Sequence, residues 1–585
     1  MAGIEDSSRR NNGETLASPS SATSGITSAP NSDVFVALSS PVEQVFPTLT
    51  PAQIARVAAH GLVRPVRKGE VLVAAGHPVE SLFVVTAGSI EFVRQSAKGE
   101  ETIAIQRAGQ FTGETSMLSG RQALINLRVG EPGEVIEVKR DDLLALVQTD
   151  SELGDIFMRA FILRRVELIS HGFGDAVLIG SNFCQATVRV KEFLTRNGHP
   201  YTFVDLDRDS GVQDLLDRFG IGEGDVPVLI CREKVVLRNP SNLEIADCLG
   251  FNEAIDQARL RDILIIGAGP AGLAAAVYGA SEGLDVLVLE SEAPGGQAGS
   301  SSKIENYLGF PTGISGQELA ARALTQAEKF GTELMIAKGA RRLSCERRPY
   351  AIEIDDGSRV PARTVVIATG ARYRKLRVEN LERFEGAGVY YGATPIESQL
   401  CRGEEVVVVG GGNSAGQAAV FLALTAKRVH VLVRATGLSE SMSRYLIRRI
   451  EDNPAIDLRP QTDIVALEGA AHLERISWRD NATGAVTTHD IRHVFSMTGA
   501  VPSTSWLEGC VALDGDAFIK TGPDLSEEDL AAAHWPLARP PHLLETSRPG
   551  VFAVGDVRGG NTKRVASAVG EGSIAVTFVH AVLNE

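Results

Sequence analysis

Between about residues 39 and 145 the apolar side chains fall in short alternating runs punctuated by glycine. Val71-Leu72-Val73, Leu82-Phe83-Val84-Val85, Ile90-Glu91-Phe92-Val93 and Val135-Ile136-Glu137-Val138 are such runs. Short strands separated by glycine turns predict a β-roll or jelly roll. A helical period follows over 141–170. Near 175 the period changes: strands are predicted at 176–180, 201–206 and 226–231, with helices at 186–196 and 211–219 between them. That βαβαβ alternation describes a small α/β domain. Beyond about 258, two separate units each run strand, glycine loop, helix, the grammar of a doubly wound nucleotide-binding protein. Residues 1–38 carry Ser, Asn, Gly and Thr with few large apolar side chains. Such a segment cannot bury enough surface to offset ordering entropy and is predicted to be a disordered tail.

The first glycine loop follows the apolar strand Ile263-Leu264-Ile265-Ile266 and reads Gly267-Ala268-Gly269-Pro270-Ala271-Gly272, with an Ala-rich helix directly after it. Gly267 permits the tight turn, Gly269 lets the backbone approach a pyrophosphate, and Gly272 lets the helix pack closely on the sheet. The helix start offers unpaired N–H groups and positive dipole to the phosphates. The next strand ends at Glu290, 23 residues past the first glycine, where a carboxylate accepts from ribose hydroxyls. The second loop follows Val406-Val407-Val408-Val409 and reads Gly410-Gly411-Gly412-Asn413-Ser414-Ala415. Its next strand ends in Arg434 where an NAD site places an acid, so NADP is favoured, with NADH the alternative. Arg444 could join Arg434; the competing view of Arg434 is a solvated surface charge. Two such loops imply two dinucleotides and electron transfer between a nicotinamide and a flavin.

Composition narrows the partners. The 585 residues carry 44% hydrophobic and 22% charged side chains, enough for several cores, and length favours three or four domains. A net charge of -15 argues against nucleic acid or an anionic membrane surface. Residues 1–30 hold no apolar run of signal-peptide type, and no membrane span is expected, so a cytoplasmic protein is expected. The six cysteines (Cys184, Cys231, Cys248, Cys345, Cys401 and Cys510) are scattered without any C-x-x-C, which argues against a disulfide framework and a zinc ribbon; no metal site is expected.

From about 258 to 585 the chain resembles the low-molecular-weight, bacterial-type thioredoxin reductases. The resemblance rests on Gly295-Gly296-Gln297, Ile304-Glu305-Asn306-Tyr307-Leu308-Gly309-Phe310-Pro311, Ala368-Thr369-Gly370, Thr546 to Asp556, and Arg564-Val565-Ala566. It implies an FAD site built from Gly267, Gly269, Pro270, Ala271, Gly272, Glu290, Gly296, Gln297, Asn306, Gly370, Gly555, Asp556, Arg564, Val565 and Ala566. It likewise implies an NADPH site at Gly410, Gly412, Asn413, Ser414, Ala415, Arg434 and Arg444. The flavin domain is then split, 258–377 with 496–585, around an NADPH domain at 378–495. Where that family carries Cys-Ala-Thr-Cys, this chain reads Gly392-Ala393-Thr394-Pro395. Thiolate attack needs a thiol in reach of the flavin, and neither glycine nor proline replaces it. Cys401 is read as a buried structural thiol.

The 175–250 segment resembles glutaredoxins and thioredoxin-like proteins. Cys184-Gln185-Ala186-Thr187 stands where those proteins carry Cys-x-x-Cys, and Val226-Pro227-Val228 looks like their cis-proline strand. Cys184 at a helix start is a candidate nucleophile, but one thiol closes no disulfide of its own, and a docking domain without activity remains the alternative. The 39–170 segment resembles cyclic-nucleotide-binding domains, on Gly113-Glu114, Met117-Leu118 and the helices after them. An arginine and a Ser or Thr should then hold the cyclic phosphate; those positions are Ala123 and Leu124, and Arg121 would reach only through a shortened loop. An apolar pair does not neutralise a phosphate, so the fold is expected without a cAMP or cGMP site.

The expected function is an FAD-dependent oxidoreductase that oxidises NADPH and passes electrons to an unidentified small-molecule or protein acceptor. An N-terminal regulatory domain, a small-molecule effector and a homodimer are also expected. The alternatives are a redox- or nucleotide-sensing signalling protein with little turnover, and a thiol-disulfide reductase working through Cys184.

Overall fold

The computed structural model describes residues 38, 40–96, 99–182, 184–208, 225–232, 235–439, 441–470, 472–507 and 509–585. The predicted tail, apart from Leu38, and the helix predicted at 211–219 lie outside these residues.

The N-terminal domain is an antiparallel sheet of β1 (Leu62–Val66), β2 (Val71–Val73), β3 (Ser81–Ser96), β4 (Gly99–Arg107) and β5 (Asn126–Lys139). The order is β1-β5-β3-β4, with β2 on β5. Two expected strands prove to be one long β3, bent where its register against β5 shifts around Gly88. Gly88 has φ +83, and a Cβ there would lie 2.5 Å from the Glu131 carbonyl, so only glycine makes the bend. The helix expected over 141–170 is two, Arg140–Thr149 and Ser151–Ser170. Asp150 ends the first in extended backbone and caps the second by accepting the Leu153 N–H at 3.0 Å. Phe111, Phe157 and Phe161 close the core, with Phe111 edge-on to Phe157 at 4.7 Å.

A four-stranded sheet follows, β6 (Ala176–Gly180), β7 (Tyr201–Asp205), β8 (Val228–Cys231) and β9 (Val235–Arg238), ordered β7-β6-β8-β9. β6 and β7 are parallel; β8 runs antiparallel to both its neighbours. Helices Gln185–Arg196 and Asn242–Leu249 pack with it, and the Val226–Pro227 peptide is cis.

The third sheet places β10 (Arg261–Ile266) between β11 (Val286–Glu290) and β15 (Arg359–Ile367), with β12 (Glu333–Ile336) outside β11 and the antiparallel β14 (Tyr350–Ile354) and β13 (Ala340–Ser344) beyond β15. The C-terminal strand Val551–Ala553 returns to pair in parallel with β15. Helix Val565–Leu583 is long and apolar enough to cross a membrane by length and composition. Here Ala568, Ala575, Val576 and Val579 bury it against helix Pro270–Ser281 as part of this domain's core. A fourth, parallel sheet runs in the order 389–390, 493–496, 405–409, 428–433, 456–460. It carries an antiparallel three-strand excursion over 462–489.

One expectation fails: Cys345 and Cys510 form a disulfide. They lie 165 residues apart and meet only because the chain leaves the third sheet and returns to it, so their spacing carries no local signature.

Helix Gln185–Arg196 joins three domains. At its C-terminal end Arg196 Nη2 donates to the Gly296 carbonyl at 3.1 Å and Asn197 Nδ2 to the Glu292 carbonyl at 3.3 Å. In its middle Glu192 lies beside Glu397 of the unit built on the fourth sheet, and burial together with Glu397 raises its pKa. At its start Gln185 packs on Gly386.

Candidate functional site

The first glycine loop is shaped by backbone constraints. Gly267 has φ +103, and a Cβ there would sit 2.4 Å from the Ala368 carbonyl. A Cβ on Gly272 would meet the Gly267 carbonyl at 1.9 Å, which fixes glycine where the helix crosses the strand. Gly269 is the N-cap of helix Pro270–Ser281, with Pro270 at its first position and no side chain capping it. The early N–H groups of that helix therefore face outward without a side-chain acceptor, the arrangement that receives a phosphate. Gly296 approaches to the point where its Cβ would be 3.1 Å from the Gly269 Cα, so the 295–297 loop and the glycine loop form one cradle of bare backbone.

Glu290 is 7% exposed. Its Oε2 accepts the Ala268 N–H at 2.7 Å and its Oε1 accepts the Glu292 N–H at 2.9 Å. Burial raises its pKa, and those two N–H groups oppose the rise. Each carboxylate oxygen has two acceptor sites, so capacity for a ribose hydroxyl remains. Gly555, Asp556 and Gly370 come to the same end of the sheet: Gly555 packs on Ala271, and Gly370 follows β15, whose partner strand Val551–Ala553 leads to Gly555. Burial raises the Asp556 carboxyl, and the Lys563 ammonium lowers it. Gln297, Asn306, Arg564 and Ala566 are exposed and Val565 is half-buried. Glu571 was not legible in the sequence: from helix Val565–Leu583 it accepts the Gly555 N–H at 2.7 Å and the Arg558 Nη2 at 2.7 Å, fixing the turn that carries Asp556.

The second loop repeats the geometry. Gly410 has φ +142 with its Cβ position 2.5 Å from the Met497 carbonyl, and Gly412 caps helix Asn413–Leu422 without a side-chain bond. Ala415 is buried beneath the loop. The Asn413 side chain is already engaged, its Oδ1 accepting the Ser443 N–H at 2.8 Å and the Ser443 hydroxyl at 2.7 Å. Asn413 thus ties the loop to the segment carrying Arg444. Arg434 and Arg444 are both exposed and make no hydrogen bond or ion pair with the described residues. Tyr373 is a further residue that the sequence did not reveal. It is half-buried; burial raises its phenol, the neighbouring Ser414 opposes the rise, and the Asp556 charge acts on it as well, so it stands between the two loops.

Between the loops, Thr394 and Glu397 form a capping box on helix Pro395–Leu400, with Pro395 at its first position. A Cβ on Gly392 would be 3.9 Å from Ser300, just beyond the 295–297 loop. Cys401 is fully buried, and burial pushes its pKa up to about 12, as befits a structural thiol. Cys184 is half-buried at the N-cap of helix Gln185–Arg196, whose far end meets Gly296. Twelve residues make that helix about 18 Å long, so Cys184 stands remote from the first cradle.

Residues 261–572 match the model of the pyridine nucleotide-disulphide oxidoreductases. The chain belongs to that family. Thioredoxin reductase of Ureaplasma parvum is 31% identical over 318 residues, spanning 54% of this chain and 95% of the relative. That of Bacillus subtilis is 30% identical over 332 residues, spanning 57% and 97%. The crystal structure of Lactococcus lactis thioredoxin reductase in the FR conformation aligns with a TM-score of 0.50 at 27% identity, over 56% of this chain and all of that one. Residues 63–150 match the cyclic nucleotide-binding domain. The protein therefore joins a cyclic nucleotide-binding domain to a thioredoxin reductase-like flavin oxidoreductase.

Proposed function

We propose that the chain oxidises NADPH on FAD and delivers the electrons to an acceptor other than an internal dithiol. The identity of positions 392 and 395 carries the proposal. They are glycine and proline, and the nearest thiol in sequence, Cys401, is buried with a raised pKa. Bound FAD supplies the two-electron carrier between the nicotinamide and the final acceptor. In this reading Gly267, Gly269 and Gly296 give the flavin pyrophosphate its bare backbone, Glu290 accepts from the ribose, and Asp556 meets the ribityl chain. Asn306, Gln297, Gly370, Arg564, Val565 and Ala566 border the isoalloxazine. Gly410, Gly412, Ser414 and Ala415 hold the second pyrophosphate, with Asn413 as a positioning residue. Arg434 and Arg444 pair with the 2′-phosphate.

The 175–250 domain is glutaredoxin-like in this proposal and serves to brace the two dinucleotide domains. The N-terminal domain regulates the reductase half, to which it is joined by Gln148 Nε2 donating to the Lys329 carbonyl at 2.9 Å; the Arg140–Glu253 ion pair at 2.9 Å ties it to the segment just before that half. A cytoplasmic homodimer completes the proposal.

Anaerobic mixing of the purified flavoprotein with NADPH is the test, followed by a screen of disulfides, quinones and oxygen. NADPH should bleach the visible flavin absorbance, and quinone or oxygen turnover should be the same in Cys184→Ser. A flavin that NADPH never reduces would leave a sensing role instead. Disulfide turnover that disappears in Cys184→Ser would move the electrons onto the thiol route.

A further inference from the structure

The N-terminal domain encloses a cavity of about 100 Å³ that opens to solvent on one side. It lies beside Gly113 and Glu114, the pair on which the resemblance to cyclic-nucleotide-binding domains rests. Its walls are unlike a nucleotide site. Val73, Phe92, Ile103 and Met117 face it, and so do Ala123 and Leu124 where a phosphate would need its arginine and hydroxyl. Arg121 does not line it. The Arg121 guanidinium instead lies over the Phe251 ring at 5.5 Å, turned to the domain boundary. Glu114 is committed as well, accepting from the Thr115 hydroxyl at 3.1 Å and lying 3.6 Å from Arg165 Nη1.

One buried donor of a wall residue lacks an acceptor. Arg164 is 6% exposed; its Nε donates to the Val45 carbonyl at 2.9 Å and its Nη1 to the Gly113 carbonyl at 2.8 Å, while Nη2 has no partner. The Phe46 and Phe111 rings hold the guanidinium at 5.2 and 4.7 Å from their centroids. Burial pushes its pKa down to about 9, so it stays charged at neutral pH. The carboxylates of the wall are Glu114 and Glu167; Glu167 accepts the Ser40 N–H at 3.1 Å and lies 3.7 Å from His171. A buried N–H donor without an acceptor destabilises the fold that encloses it.

We propose that this cavity binds a small apolar molecule carrying one oxygen acceptor, seated with the oxygen toward Arg164, and does not bind a cyclic nucleotide. The acceptor is a carboxylate or a ketone-type carbonyl; both present the same lone pairs to Nη2, and a carboxylate adds charge pairing. The occupant also has a mechanical route to the reductase half. Met117 lies in helix Ser116–Ser119, which packs on helix Gly316–Lys329, and Arg140 Nη2 donates to the Leu118 carbonyl at 2.9 Å. The proposal is independent of the flavin chemistry, since its test reads binding alone.

Calorimetric titration of the full-length flavoprotein with octanoate, octan-2-one and cyclic AMP is the test. Octanoate or octan-2-one should bind at least tenfold more tightly than cyclic AMP. The stronger of the two identifies the acceptor. Ala104→Phe, which fills the cavity and leaves Arg164 in place, should weaken that binding at least tenfold. Arg164→Met should weaken octanoate more than octan-2-one, with circular dichroism confirming that each variant is folded. Cyclic AMP binding more tightly than both probes overturns the proposal. So does an absence of binding by both, or affinity unchanged in Ala104→Phe.

Discussion

Replacing Arg434 with Ala removes one of two exposed guanidiniums at the rim of the second glycine loop. Arg434 directly follows the strand Arg428–Val433, and Arg444 opens the helix Arg444–Glu451. The rim between them is tied to the loop by Ser441 Oγ donating to the Gly411 carbonyl at 2.8 Å and by Asn413 accepting from Ser443. Neither guanidinium bonds to the described residues, so its loss changes charge and leaves packing alone. A hydrogen bond to an ionised group contributes about 1.5–3 kcal/mol. Exposure and salt screening bring an open pair to the lower end of that range. Since about 1.4 kcal/mol is a factor of ten in affinity, Arg434→Ala should raise the KM for NADPH roughly tenfold and leave the KM for NADH unchanged. The double variant with Arg444→Ala should reach roughly a hundredfold if the two act independently. Steady-state rates with each nicotinamide, at low and high ionic strength and saturating acceptor, measure both effects. The wild-type preference for NADPH should shrink as salt rises. Equal losses with NADPH and NADH, or none at low salt, would refute the reasoning and leave the arginines as solvated surface charges.

Gly267→Ala places a side chain at φ +103, a left-handed strain of about 1–2 kcal/mol, and drives its Cβ into the Ala368 carbonyl; purified protein should lose flavin while keeping its far-ultraviolet circular dichroism, and full flavin loading would contradict this. Glu192 is pushed up to about 9 by burial, with the neighbouring Glu397 adding to the rise. A folded pKa above the unfolded one gives stability that is complete below about 4.5 and is lost as pH rises through about 9, so Tm should fall between pH 7 and pH 9. Glu192→Gln should flatten that fall, and an identical slope in the variant would count against it. In the segment 175–250 the neighbouring Cys231 and Cys248 thiols act on each other, raising Cys231 and lowering Cys248. Iodoacetamide at neutral pH should therefore label Cys248 first, as read by peptide mass spectrometry; faster labelling of the fully buried Cys231 would be incompatible with that pairing.

Much of the candidate site was legible because its signals are local. The strand–glycine–helix units at 267–272 and 410–415 place every backbone constraint within a dozen residues, and Glu290 and Arg434 close each unit at the end of the following strand. That positions 392 and 395 are Gly392 and Pro395, without a thiol, was equally plain, since a short motif needs no fold to be read. Glu571 and Tyr373 escaped detection because nothing near them in sequence marks them; each acts on a loop brought to it by packing.

The amino-acid order was enough to place the glycine loops and the strand and helix on either side of each, and to show that positions 123 and 124 are apolar. It did not show that one strand runs from 81 to 96 or that two helices share 140–170. Tertiary structure alone decided the contacts between distant segments. It joined Cys345 to Cys510 across the split domain, turned Arg121 away to Phe251, and left Arg164 with one unpaired N–H in an apolar wall. It also laid one helix across three domains, with Cys184 at the end remote from Gly296. Local patterns follow from side-chain periodicity and backbone sterics, which short windows contain. Pairings across a hundred or more residues follow from how whole sheets pack, and no short window contains that.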